Sequence, residues 1–114
     1  MLNENLQIVV SQGNRDGHKI LRMKGPLNMQ NVFGFQAAVR AENSPVVILD
    51  FTGVPFIDSA GLGALVGAYV ATQKVQRKLV VAGMGSQVKT LIEMTKVSQL
   101  IQSYDTVSEA EEAL

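Results

Sequence analysis

An aspartate and a serine stand side by side at positions 58 and 59, where an apolar run gives way to a glycine-punctuated stretch. Val46 to Gly63 reads VVILDFTGVPFIDSAGLG. The pattern is a buried strand, a short loop and an abrupt entry into a helix. A carboxylate and a hydroxyl at such an entry face free backbone N–H groups and the positive end of the helix dipole. Two kinds of chemistry suit that position. A side-chain oxygen can cap the helix. A serine hydroxyl can also carry a phosphate, an anion that helix N-termini accommodate well. The two are compatible if Asp58 caps and Ser59 projects outward.

Other chemistry is poorly supplied. The context I-D-S-A-G around Ser59 lacks the first glycine of a G-x-S-x-G nucleophile elbow. The single histidine, His18, lies in a hairpin pattern, and no other general base is indicated. With no cysteine and one histidine, cysteine sites and paired-histidine sites are excluded. Asp50 closes an apolar run without a second carboxylate close in sequence. Gly83-Met84-Gly85 follows a strand pattern and opens a helix pattern, but Val88 occupies the third glycine position of a dinucleotide fingerprint. The expectation is a binding module with no catalytic residues, no cofactor and no metal.

The elements that must position Asp58 and Ser59 follow from periodicity. Leu6, Ile8 and Val10 alternate with Gln7, Val9 and Ser11 in an edge-like strand pattern. Gly13-Asn14 and Asp16-Gly17 mark a turn, and Ile20 to Lys24 forms a second strand paired as a hairpin. Gly25-Pro26 ends it. A helix is predicted from Met29 to Glu42 with Val32, Phe35 and Val39 on one face, stopped by Asn43-Ser44-Pro45. Val46 to Phe51 and Leu79 to Met84 read as central parallel strands covered on both faces. The helix between them, Ala60 to Gln76, completes a βαβ unit, expected to be right-handed. Ser86 is expected to cap a helix with Val88, Leu91 and Ile92 on one face. Leu100 to Tyr104 reads as a short strand. Thr106 and Glu109 form a capping box for a last helix. The fold class is α/β: one domain over 1–114, with a mixed, mostly parallel sheet, an N-terminal hairpin and helices packed on the sheet.

The helix after Ser59 carries a second signal. On a helical wheel Leu62, Leu65, Val66 and Tyr69 share the face expected to pack on the sheet. The opposite face bears Gly63, Gly67, Ala71 and Lys74. Each interior glycine costs a helix about 1 kcal/mol against alanine. Small residues on an outer face point to something approaching the backbone closely. A partner protein fits, and so does another helix of the same domain.

Composition narrows the class further. Ten basic and ten acidic residues balance to zero, which argues against nucleic acid and anionic membrane surfaces as partners. The N-terminal MLNENLQIVV does not resemble a signal peptide. The longest apolar run, Ala60 to Ala71, falls short of the roughly 18 residues that a membrane span needs. A cytoplasmic monomer or weak dimer is the expectation.

The motif Phe56-Ile57-Asp58-Ser59-x-Gly61-Leu62-Gly63 resembles that of the STAS domain, and in particular of the single-domain anti-sigma factor antagonists of bacteria. So do the opening hairpin, Gly25 and Leu27 before the first helix, the strand to Asp50, the Leu79–Gly83 strand and the Val88–Met94 helix. The resemblance implies that Ser59 is phosphorylated by an anti-sigma factor that is also a GHKL-type serine kinase. The unphosphorylated form would capture that anti-sigma factor and free a sigma factor, and a phosphatase would reset the switch. With the small outer helix face, it marks Asn28, Asp58, Ser59, Ala60, Gly61, Gly63, Gly67 and Ala71 as candidate partner-binding residues. Gly25-Pro26-Leu27-Asn28 stands where relatives often read G-E-L-D or G-E-I-D. Ala60 stands where many have a second hydroxyl, so Ser59 is the only one within the motif. Service in a stress-signalling complex or a lipid-transport system, or as a small-molecule or nucleotide sensor, remains an alternative.

Overall fold

The computed structural model describes residues 5–114, so positions 1–4 of the N-terminal stretch lie outside it. The elements run β1 (Gln7–Gln12), β2 (His18–Lys24), α1 (Val32–Ala41), β3 (Val46–Gly53), α2 (Ser59–Lys74), β4 (Lys78–Ala82), α3 (Ser86–Met94), a short 3-10 turn (Val97–Gln99), β5 (Ser103–Tyr104) and α4 (Val107–Ala113). The five strands lie side by side in chain order. β1 and β2 form the antiparallel hairpin. The β2–β3, β3–β4 and β4–β5 pairings are parallel, each bridged by a helical crossover. This is the α/β class expected, with β1 at the edge.

Alternation across the sheet divides the core in two. Leu21, Val47, Leu49, Phe51, Leu79 and Val81 point to the side where Phe35 and Val39 of α1, Leu65 of α2 and Ile92 of α3 pack. Ile20, Ile48, Val80 and Ala82 point to the other side, where Ala110 of α4 covers them. Covering both faces is what makes Val47-Ile48-Leu49 read as a continuous apolar run.

Several boundaries differ from the sequence reading. α1 begins at Val32 because Asn28 to Asn31 close a turn, the Asn31 N–H donating to the Asn28 carbonyl at 2.9 Å. β3 continues to Gly53, two residues past the expected end at Phe51. The Asp50 carboxylate accepts from the Thr52 N–H and hydroxyl. Among the described residues no group of His, Cys, Asp and Glu is placed to hold a metal. β4 stops at Ala82 because Gly83 takes a positive φ of 76°. Ser86 is the first residue of α3, whose cap position is Gly85, without a side-chain hydrogen bond. Thr106 does cap α4, accepting from the Glu109 N–H at 3.0 Å. The last strand is only Ser103–Tyr104, preceded by a 3-10 turn over Val97–Gln99.

The buried face of α2 is also rotated from the expected one. Gly61, Ala64, Leu65, Ala68 and Thr72 are buried. Leu62, Val66 and Tyr69 flank that line, half-buried against the core. Gly63, Gly67, Ala71 and Lys74 lie exposed, as expected. The rotation follows from the close approach at Gly61 described next.

Candidate functional site

The site is built where two chain segments meet edge to edge. After β2, Leu27 forms a single parallel bridge with Ile57, which precedes α2. The Leu27 N–H donates to the Phe56 carbonyl at 3.2 Å, and the Asp58 N–H donates to the Leu27 carbonyl at 3.3 Å. Gln87 at the start of α3 secures the bridge from the other side. Its amide accepts from the Ile57 N–H at 3.0 Å and donates to the Ile57 carbonyl at 3.1 Å. Ile57 is thereby held by both backbone groups in a buried position.

Asp58 locks this junction to the helix. One carboxylate oxygen accepts from the Gly61 N–H at 2.8 Å, capping α2. The other accepts from the Met29 N–H at 3.1 Å. One side chain thus ties the entry of α2 to the turn before α1. Asn28 shapes that turn, its side-chain oxygen accepting from the Gln30 N–H at 3.1 Å. Asn31 adds a bond from its amide to the Pro26 carbonyl at 2.8 Å.

Gly61 is required by this geometry. A Cβ there would lie 2.0 Å from the Leu27 carbonyl oxygen, far inside any contact distance. Gly61 therefore faces inward, supporting the surface from beneath. Gly63 and Gly67 behave oppositely, since a Cβ on either meets nothing within 4 Å. Nothing fills the space where a side chain on Gly63 or Gly67 would begin.

Ser59 is the first residue of α2 and is exposed; Ala60 beside it is half-buried. The Gly61 N–H is taken by the Asp58 carboxylate and the Leu62 N–H by the Asp58 carbonyl. The Ser59 and Ala60 N–H groups open the helix, where no intrahelical acceptor exists. The hydroxyl thus stands at the positive end of a capped 16-residue helix. Around this junction the chain exposes large apolar side chains. Met29 is 71% and Phe33 78% accessible, and Phe56 is 40% accessible. Met29 and Phe56 belong to the two segments joined at Leu27 and Asp58. Phe33 lies four residues after Met29, in the first turn of α1.

The structure brings together Asn28, Asp58, Ser59, Ala60 and Gly61, and places Gly63, Gly67 and Ala71 along the outer face of the same helix. Sequence reasoning missed Met29, Phe33, Phe56 and Gln87. Phe33 carried a signal, because it falls off the Val32–Phe35–Val39 stripe. Gln87 carried none, because its partner lies 30 positions away.

Comparison with known proteins bears on the family and the fold. The sequence profile of the STAS domain matches residues 9–110. An anti-sigma-B factor antagonist of Listeria monocytogenes is 37% identical over 57 residues, half of this chain and half of that protein. The crystal structure of an anti-sigma factor antagonist from Mycobacterium paratuberculosis superposes with a TM-score of 0.84 at 22% identity, covering 95% of this chain and 92% of that one. The Bacillus cell fate determinant SpoIIAA in its phosphorylated form gives a TM-score of 0.71 at 15% identity, covering 94% and 98%. These structural likenesses establish the fold.

Proposed function

This chain belongs to the STAS domain family, and from that premise we propose that it is an anti-sigma factor antagonist switched by phosphorylation of Ser59. The observation that carries the proposal is the exposed Ser59 hydroxyl at the head of α2, next to a capping aspartate and beside exposed apolar side chains. Relatives named as anti-sigma factor antagonists support the reading, as does a fold relative solved in a phosphorylated form.

In this reading the unphosphorylated protein, a single domain over 1–114, binds an anti-sigma factor through Met29, Phe33 and the small outer face of α2. The anti-sigma factor is a GHKL-type serine kinase, and its capture frees a sigma factor. The protein is a cytoplasmic binding module with no reaction of its own. Among the described residues no helix is long and apolar enough to cross a membrane.

The switch is electrostatic. A phosphoserine adds about −1.5 to −2 charges at neutral pH. The helix N-terminus tolerates that charge in the free protein. In a complex the same charge sits beside the Asp58 carboxylate and is stripped of water, which is costly without a cationic partner. Phosphorylation therefore weakens the complex more than it disturbs the fold, and a phosphatase restores binding.

Incubation with the kinase and ATP, followed by mass spectrometry, tests the acceptor. The expected product carries one phosphate, on Ser59, and Ser59→Ala stays unmodified. Phosphate mainly on Thr52, Ser86 or Ser108 overturns the proposal.

A further inference from the structure

A recess lies away from Ser59, between the C-terminal halves of α1 and α2. It has a volume of about 550 Å³, within the range of about 300–1,000 Å³ typical of small-molecule sites. Val39, Ala68, Ala71 and Val75 give it an apolar lining, and Gly67 opens one wall by having no side chain. Two arginines, Arg40 and Arg77, also line it, and no acidic residue does.

The two arginines are held differently. The Arg77 Nε donates to the Ser44 carbonyl at 2.8 Å, and one terminal nitrogen donates to the Glu42 carbonyl at 2.5 Å. Its guanidinium is thereby fixed in orientation before any ligand arrives. Arg40 is exposed and makes no ion pair among the described residues. The ends of α1 and α2 oppose an anion here, each contributing about half a negative charge. Two full positive charges outweigh them, and Arg77 is bonded to carbonyls just beyond α1.

An apolar recess with an excess of positive charge and no acidic residue fits an amphiphilic anion. We propose that this groove binds a free medium-chain carboxylic acid. Its hydrocarbon chain lies along Val39, Ala68, Ala71 and Val75, and its carboxylate pairs with Arg40 at the mouth. Guanidinium–carboxylate pairing is directional and charge-assisted. The proposal does not depend on the role assigned to Ser59, and either can fail alone.

Decanoate, kept below its micelle concentration, is the probe. Titration calorimetry and amide NMR shifts on the intact chain are the readouts. Saturable binding is expected, with shifts concentrated in residues 36–43 and 67–77. Arg40→Glu should weaken it at least tenfold, while Lys24→Glu, the same charge change on β2, should leave it unchanged. Decanol and inorganic phosphate should each bind at least tenfold more weakly than decanoate, because each lacks one half of the recognition. Absence of saturable binding, equal affinity for decanol, insensitivity to Arg40→Glu, or shifts centred on Phe33 or the β1 edge would each overturn the assignment. So would preference for an acidic amphipathic peptide over decanoate.

Discussion

Two glycines in one helix, two positions apart, have opposite reasons to be glycine. Gly61 has the Leu27 carbonyl where its side chain would be, and Gly63 has open space. Gly61→Ala is therefore expected to destabilise the domain by about 1–3 kcal/mol, as overpacking does. Gly63→Ala should be neutral or stabilising by up to about 1 kcal/mol, because alanine favours a helix interior. Chemical denaturation of the two variants checks the contrast. Equal losses would mean that Gly63 is packed after all. The sequence showed both glycines in one motif and could not separate them. What separates them is a backbone contact from a residue more than 30 positions earlier, and periodicity is blind to such contacts. Asp58 was more legible, since a capping carboxylate is a local device. Its second bond, to the Met29 N–H, was not.

At the scale of the element, α2 is a lever with a core side and an unpartnered side. Its core side runs through Gly61, Ala64, Leu65, Ala68 and Thr72. The wheel placed the buried arc on Leu62, Leu65, Val66 and Tyr69, of which only Leu65 is fully buried, because it weighted large apolar residues. Close backbone approach at Gly61 turned the small residues inward and left the large ones to flank them. The outer stripe of Gly63, Gly67 and Ala71 was read correctly from spacing alone. If that stripe receives a partner, Gly63→Gln should block binding of the anti-sigma factor with the thermal midpoint unchanged or slightly raised. Calorimetric titration beside a thermal melt separates the outcomes. A sharply lowered midpoint would mean that the stripe supports the fold, contrary to the open space found around Gly63.

The whole molecule places the hairpin at one edge of the sheet, α1 to α3 on one face and α4 on the other. The central strands, the hairpin and the order of elements were legible because each is a run of local pattern. The assignment of helices to faces was not, because it depends on how the crossovers close. One tie, local to the loop after α1, is pH-sensitive. The Ser44 hydroxyl donates to the Glu42 carboxylate at 2.6 Å, and this hydrogen bond, ahead of smaller effects, lowers the pKa of Glu42 below its ordinary value. A depressed folded-state pKa contributes stability that is present above the unfolded value. That stability is lost as pH falls through the folded value. Glu42→Gln should therefore cost stability at pH 7, and that difference from the parent protein should shrink as the pH falls to 3. Urea titrations at the two pH values check it, and an undiminished difference at pH 3 would contradict the assignment.

The central claim is that one phosphate on Ser59 switches the whole surface. The most direct test is calorimetric titration of the anti-sigma factor with three proteins: unmodified, phosphorylated on Ser59, and Ser59→Ala. Unmodified protein and Ser59→Ala should bind alike. The phosphorylated protein should bind at least tenfold more weakly, a difference of about 1.4 kcal/mol or more, while retaining the same fold by circular dichroism. Equal affinity for the phosphorylated and unmodified proteins would contradict the account.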